Sequence, residues 1–253
     1  MRITERKYLD AYMQSVGEKI PIMIDAFDFS ENRGDFVYLT KASAVYSSNI
    51  EGNSIDLNSF MNYEMNKDKF RAGKEIQEIE DLIDAYEFAQ NNPLNEQNLL
   101  ECHKIFSDIL LIRSKRGVYR NEKVGVFGKT GLAYLAVEPE FVVREMRQFF
   151  DDLGEIISAT LNVSEVFYFA SIIHLRFAHI HPFRDGNGRA ARLIEKWFIA
   201  TKLGIDFWKI PSEENYKRNQ QHYYDTINLG VNYYELNYDK CIPFLEMLPN
   251  CLK

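Results

Sequence analysis

The sequence predicts a mainly α-helical fold, a helical bundle core with one β-hairpin attached. Three observations carry this. Apolar residues recur at three- and four-residue steps along most of the chain, a segment near residue 170 is apolar nearly all round, and a single stretch, VGVFGKTGLAYLAV, sets β-branched and aromatic residues on either side of a glycine turn. A helix with no polar face has nothing to turn toward water, so the segment near 170 belongs at the centre of the bundle.

Taken in order, helices are expected over residues 4–16, with Thr4 as cap, and over 40–51, the stretch between 17 and 40 being undecided. Ile76, Ile79, Ile83 and Tyr86 mark one face of the next helix, and Leu99, His103, Phe106 and Leu110 that of its successor. The hairpin spans 118–137 with Gly-Lys-Thr-Gly as its turn. A helix over 139–153 should stop at Gly154. Val166, Phe167, Phe169, Ala170, Ile172, Ile173 and Phe177 form the central helix, and Leu193, Ile194, Trp197, Phe198 and Ala200 mark the one after it. A helix over 212–229 should stop at Gly230, and a short one over 239–248 closes the chain. No repeat or linker-like shift interrupts the pattern, so residues 1–253 are expected to form one domain.

Of 253 residues, 46% are hydrophobic and 26% charged, an ordinary globular balance. The net charge of −7 argues against a broad footprint on a nucleic acid backbone, although a local basic pocket for a small phosphorylated ligand is compatible with it. The N-terminus, MRITERKYLD, lacks the apolar core of a signal peptide, and no apolar run reaches the length of a membrane span. Cys102, Cys241 and Cys251 are odd in number and without CxxC spacing, which suggests neither a disulfide framework nor a zinc cluster. A cytoplasmic protein with no nucleic acid or membrane partner is expected.

Chemistry concentrates in HIHPFRDGNGRAAR, residues 179–192, between the central helix and its successor. Backbone N–H groups of Gly186, Asn187 and Gly188 would open a helix with no acceptor, and glycine lets a ligand approach them closely. Such a helix start is an anion site suited to phosphate. Arg189 and Arg192 stand three residues apart on one face and can add bidentate donors, so two arginines against one pocket imply more than one phosphate. Asp185 would repel phosphates unless a divalent cation lies between them, magnesium being the usual solution. His181 can accept a proton near neutral pH. Together these make a phosphoryl- or nucleotidyl-transfer site working by positioning and charge stabilisation. Phe183 is expected to anchor the loop, and His103, His174 and His222 to pack or hydrogen-bond. His179 and His181 alternate as in a zinc pair, but no third ligand accompanies them.

The segment Ser47-Ser48-Asn49-Ile50-Glu51-Gly52 ends a helix on a carboxylate. The C-terminal pole carries partial negative charge, so Glu51 is mildly unfavourable there unless a cation from elsewhere meets it.

HPFRDGNGRAAR resembles the Fic-domain signature HPFx(D/E)GNGRxxR at every fixed position, and HLRFAHI before it resembles the run that leads into that signature. The resemblance implies a Fic fold with residues 61–248 as catalytic core and 1–60 as an extension carrying an inhibitory helix at about 40–51. It implies transfer of AMP from ATP, the co-substrate, to a hydroxyl of Tyr, Ser or Thr on a target protein, with His181 as catalytic base and Asp185 holding Mg2+. Gly186, Asn187, Gly188 and Arg189 would cradle the phosphates and Arg192 would face the γ-phosphate. Both glycines and both arginines are kept, which favours adenylylation over the chemistry of branches with altered motifs. The hairpin at 118–137 falls where the family has the flap that pairs with an extended target segment. Tyr223 and Tyr224 would line the adenine or ribose pocket. Ser47 and Glu51 fit the inhibitory motif (S/T)xxxE(G/N), making Arg192 the partner of Glu51 and release a movement of one short helix. Two alternatives remain open: removal of AMP with Glu51 positioning the attacking water, and nucleotide binding without turnover. Self-association and self-modification are compatible with all three.

Overall fold

In the computed structural model, which describes residues 1–27, 29, 36–69, 72–128 and 131–253, the chain begins with α1 (Leu9–Ser15) and α2 (Ile20–Ala26). Then come α3 (Phe36–Ile50), α4 (Leu57–Met65), α5 (Lys74–Gln90) and α6 (Glu96–Phe106). The strands β1 (Gly125–Gly128) and β2 (Gly131–Leu135) precede α7 (Pro139–Ser158), α8 (Val163–Ile180) and α9 (Asn187–Leu203). The chain closes with α10 (Ser212–Arg218), α11 (Gln220–Ile227) and α12 (Ile242–Leu245), with short 3-10 turns between elements.

The helix apolar on all sides is α8, buried from Val166 to Phe177. A reciprocal cap starts it: Glu165 N–H donates to Asn162 Oδ1 at 3.0 Å and Asn162 N–H to Glu165 Oε2 at 2.9 Å. Burying each of its Ile and Phe side chains contributes about 1.5–3 kcal/mol, so α8 is fixed by packing rather than by propensity. It lies along α9, also buried over most of its length, and α7 covers it with the stripe Val142, Met146, Phe149, Leu153 and Ile156. The buried side chains join into one core running from Ile3 to Leu252.

Helix α3 packs against α5 and α10 through Thr40, Ser43, Ala44, Val45, Ser47 and Ser48, small residues that allow close approach. Two of its buried hydroxyls are met from outside: Gln90 donates to Thr40 Oγ1 at 2.9 Å and Lys196 to Ser43 Oγ at 2.7 Å.

Several expectations change. Thr4 caps nothing, because residues 1–8 are held by tertiary bonds: Ile3 is buried, Arg2 pairs with Asp152, and Tyr168 Oη donates to Glu5 O, so the helix starts at Leu9. The undecided stretch contains α2, while residues 28 and 30–35 lie outside the described residues. Helix α4 had no periodicity signal, but Asp56 caps it by accepting from Ser59 N–H at 2.9 Å. Leu110 lies beyond the end of α6. Gly154 does not stop α7: burial of Ile156 two residues further outweighs the roughly 1 kcal/mol disadvantage of a helical glycine. The single helix over 212–229 is broken at Asn219 into α10 and α11.

The strands are shorter than the expected 118–137, and Lys129 and Thr130 of the turn lie outside the described residues. They pair antiparallel with a bulge between Val126 and Phe127. Residues 231–232 flank β2, with Leu135 N–H donating to Val231 O at 3.0 Å.

Candidate active site

Helix α8 ends on His181, whose φ of 53° is the left-handed conformation and the one positive φ outside glycine among the described residues. That conformation costs a non-glycine residue roughly 1–2 kcal/mol and turns the chain sharply into Pro182. The loop beyond is pinned on both sides. Asn187 accepts from Phe183 N–H at 2.8 Å and donates back to Phe183 O at 2.9 Å, spending its side chain on the loop. Phe183 is buried and stacks on His103 with ring centroids 3.6 Å apart. His103 Nδ1 accepts from Gly117 N–H at 2.8 Å, so its Nε2–H donates to Asp185 O at 3.1 Å. Burial holds His103 neutral, its pKa pushed down to about 4. Phe183 and His103 thus take the structural roles expected of them.

The His181 ring has Nδ1 3.1 Å from Ala178 O, which places a proton on Nδ1 and leaves the Nε2 lone pair as acceptor. Burial, set against that bond, pushes its pKa down to about 4, so the ring is neutral at physiological pH.

The first N–H groups of α9 have no intrahelical acceptor. Gly186 adopts φ of 79°, and a Cβ there would lie 2.6 Å from the Phe106 ring. A Cβ on Gly188 would fall 2.2 Å from Glu51 Oε1, so the Glu51 carboxylate rests directly on the first turn of α9. Glu51 follows the last residue of α3, the unfavourable pole of one helix, and occupies the favourable pole of another. Its partner is Arg192, whose Nη2 is 2.7 Å from Glu51 Oε1. Arg192 also donates from Nε to Ser47 Oγ at 2.9 Å and from Nη2 to Ser47 O at 3.0 Å. Burial alone would raise the Glu51 pKa; the Arg192 and Arg189 charges and the Arg192 bond outweigh it and hold the carboxyl below its ordinary range. Ser47, Glu51, Gly188 and Arg192, 145 positions apart at the extremes, therefore share one site.

Arg189 donates to Glu78 Oε1 on α5 at 2.5 Å, and its Nη1 is 4.0 Å from Asp185 Oδ1. Its buried Nε has no partner. Asp185 accepts from Gly186 N–H at 2.6 Å, and its side chain is 55% exposed. Among the described residues no three acidic, histidine or cysteine side chains are grouped to hold a metal. One half-exposed carboxylate beside an anion nest is nonetheless a suitable donor for a cation that takes its remaining oxygens from phosphate and water. The residues fit magnesium held in that way.

Tyr223 is 3% exposed. Its hydroxyl is 2.9 Å from His174 Nε2 and receives a bond from Arg192 Nη1 at 3.4 Å. His174 Nδ1 in turn meets Glu195 Oε2 at 2.9 Å, so Tyr223 backs Arg192 from the core and offers no open face to a nucleotide. Tyr224 is half-exposed and donates to Ile50 O at 2.6 Å, at the end of α3. Beside it Gln220 donates to Ile50 O and Lys217 to Asn49 O, each at 2.8 Å. His222, expected to pack, is exposed on α11 because the buried face of that short helix is taken by Tyr223. Glu78, Lys217 and Gln220 have no motif around them; each reaches the site from a separate helix, and no spacing in the sequence signals it.

Residues 93–199 match the Fic/DOC family. The chain is 25% identical over 218 residues to protein adenylyltransferase Fic of Drosophila willistoni and 27% identical over 135 residues to that of Nematostella vectensis. These alignments cover 81% and 53% of this chain but 39% and 27% of the relatives, so the chain spans well under half of their length. A Fic family protein from Desulfovibrio desulfuricans superimposes with a TM-score of 0.77 at 22% identity, covering 95% of this chain and 71% of that one. A Fic domain containing signaling protein from Bacteroides thetaiotaomicron gives 0.69 at 20% identity, covering 93% and 92%. At these identities the structures speak for the fold, which is that of Fic family proteins, and the complete signature between α8 and α9 lies inside the stretch, residues 93–199, that matches the Fic/DOC family.

Proposed function

We propose that the chain transfers AMP from ATP to a hydroxyl side chain of a target protein and is held nearly silent by its own Glu51. The observation that carries this reading is the Glu51 carboxylate seated on Gly188 and paired with Arg192 at 2.7 Å, where an anionic ligand of the α9 N-terminus would bind.

In the reaction, His181 Nε2 takes the proton of the attacking hydroxyl, and the oxygen forms a bond to the α-phosphorus as the bond to pyrophosphate breaks. The first N–H groups of α9 receive negative charge on the phosphates without reorganising, since Asn187 fixes the loop that presents them. Arg189, held at Nη2 by Glu78, turns its Nη1 toward Asp185 and the nest. Asp185 would hold Mg2+, which supplies neutralisation of phosphate charge when bound. Arg192, once free of Glu51, orients the terminal phosphate. The exposed Phe127 and Leu132 of the hairpin provide a surface for an extended target segment.

A second reading is supported by one observation. The Glu51 side chain is 30% exposed and its charge is felt by His181, a disposition that would also let it position water against an adenylylated protein. Intact-protein mass spectrometry of wild type and Glu51→Gly after incubation with Mg-ATP tests the proposal. An added AMP in the variant alone supports it, and no added AMP in either sinks autoinhibited self-transfer. Free AMP released from an adenylylated substrate by the wild type and lost in Glu51→Gly would favour hydrolysis.

A further inference from the structure

The hairpin is not loosely appended to the catalytic loop. Arg120, 3% exposed, lies before β1 and donates every arm of its guanidinium to backbone carbonyls. Nε bonds His181 O at 2.7 Å, Nη1 bonds Glu122 O at 3.0 Å, and Nη2 bonds Val137 O at 2.6 Å and Ile180 O at 3.3 Å. Its own N–H donates to Pro182 O at 2.9 Å. Glu122 and Val137 bracket the two strands, while Ile180, His181 and Pro182 are the end of α8 and the turn carrying the base.

Among the described residues no carboxylate lies within ion-pair distance of Arg120, and burial alone pulls its pKa down. A charge this buried without an ion-paired anion is retained only where its donors find acceptors: four of its five guanidinium N–H groups meet carbonyls, two of them at the negative pole of α8. Two further ties join the same parts: Tyr134 on β2 donates to His179 O at 2.6 Å, and Arg184 donates to Glu122 Oε1 at 3.0 Å.

We propose that Arg120 is a positioning residue that sets the register between the hairpin and His181, so that a strand docked on the hairpin delivers its hydroxyl to the ring. This rests on the transferase reading above. The site must bring two independent partners together, nucleotide on α9 and protein on the hairpin; Arg120 fixes the second to the base without touching either. A misplacement near 1 Å at such a joint is enough to reduce transfer on the order of a hundredfold.

The test uses the full chain carrying Glu51→Gly, alone and with Arg120→Lys or Arg120→Met. Hydrogen–deuterium exchange is followed over residues 124–136 and 177–183. Transfer is followed as label from α-labelled ATP incorporated into the protein itself, with ATP as the varied substrate. Faster exchange in both segments, a kcat lowered on the order of tenfold or more in Arg120→Lys and an ATP KM within about twofold of the parent are expected. Unchanged hairpin exchange in Arg120→Met, or a fall in kcat matched by a rise in ATP KM, overturns the proposal. Absence of label in the Glu51→Gly parent would count against the transferase reading, while the exchange arm still reports on the joint.

Discussion

Glu51 Oε1 stands 2.7 Å from Arg192 Nη2, with the arginine end fully buried and the glutamate end 30% exposed. On the proposed autoinhibited reading, the asymmetry says which partner would move. Arg192 is fixed by Ser47 and backed by Tyr223, and α3 is built into the core by Ser43, Ala44, Val45 and Ser47, so withdrawing that helix would expose buried surface and unpair Lys196 from Ser43. The movable part is the Glu51 side chain, in the turn between Ile50 and Gly52, where φ is 103° and no atom crowds the glycine. On that reading a side-chain swing takes the place of the short-helix movement expected from the sequence.

Glu51→Gly should raise incorporation of label from α-labelled ATP by about ten- to a thousandfold, the range that corresponds to a gap of a few kcal/mol. It should lower stability by only about 1–3 kcal/mol, less than a fully buried pair would lose, because Ser47 keeps Arg192 partly satisfied and the glutamate is partly in water. Denaturant unfolding with transfer measured alongside checks both. A variant as silent as wild type would remove the lock.

The central helix, its neighbour and the anion nest were legible in the sequence because they rest on local patterns: apolar periodicity from Val166 to Phe177 and glycines at the start of a helix. The Glu51–Arg192 pair was legible only through a resemblance and a charge at the wrong pole. Glu78, Arg120 and Lys217 were not, since each acts across the fold on a partner at least 61 positions away, where no periodic signal reaches. Gly154 and Asn219 misled for the converse reason: burial of Ile156 carries α7 past one, and the chain breaks at the other with no proline or glycine to announce it.

The end of α3 is gripped by Lys217, Gln220 and Tyr224, which supply donors to its last carbonyls. Tyr224→Phe removes one bond, worth about 1 kcal/mol, from the turn that carries Glu51. Basal AMP incorporation in otherwise wild-type protein should rise about two- to fivefold, and it should not rise further when Tyr224→Phe is added to Glu51→Gly. Additive gains in the double variant would place Tyr224 outside the lock.

Glu78 holds Arg189 at 2.5 Å, while Arg189 Nε is already buried without a partner. In the Glu51→Gly background, Glu78→Ala should raise the KM for ATP about tenfold by letting Arg189 leave its orientation toward the nest. Glu78→Gln, which keeps an acceptor, should recover part of that loss. Titration of nucleotide into both variants measures it, and equal affinity in the two would separate Glu78 from the site.

Three buried histidines contribute to the acid sensitivity of the fold. Burial lowers His103 to about 4, His179 to about 3 and His181 to about 4, against an ordinary value of 6.5. In each case the unfolded chain binds a proton that the folded one refuses, so stability is complete above about pH 6.5 and falls as pH drops toward 4. Each histidine contributes up to about 1.4 kcal/mol per pH unit in that window. Glu51 has the carboxylate sign: its stabilisation is present above its ordinary value of 4.5 and is lost as pH falls below it. For the reaction the same shift has the opposite merit. A base neutral down to about pH 4 does not lose activity through the usual histidine range, so transfer by Glu51→Gly should stay flat from pH 8 to pH 6, and thermal unfolding midpoints should decline from pH 6.5 downward. A rate that halves near pH 6.5 would mean that His181 titrates as an exposed ring and that the pocket around it is wet.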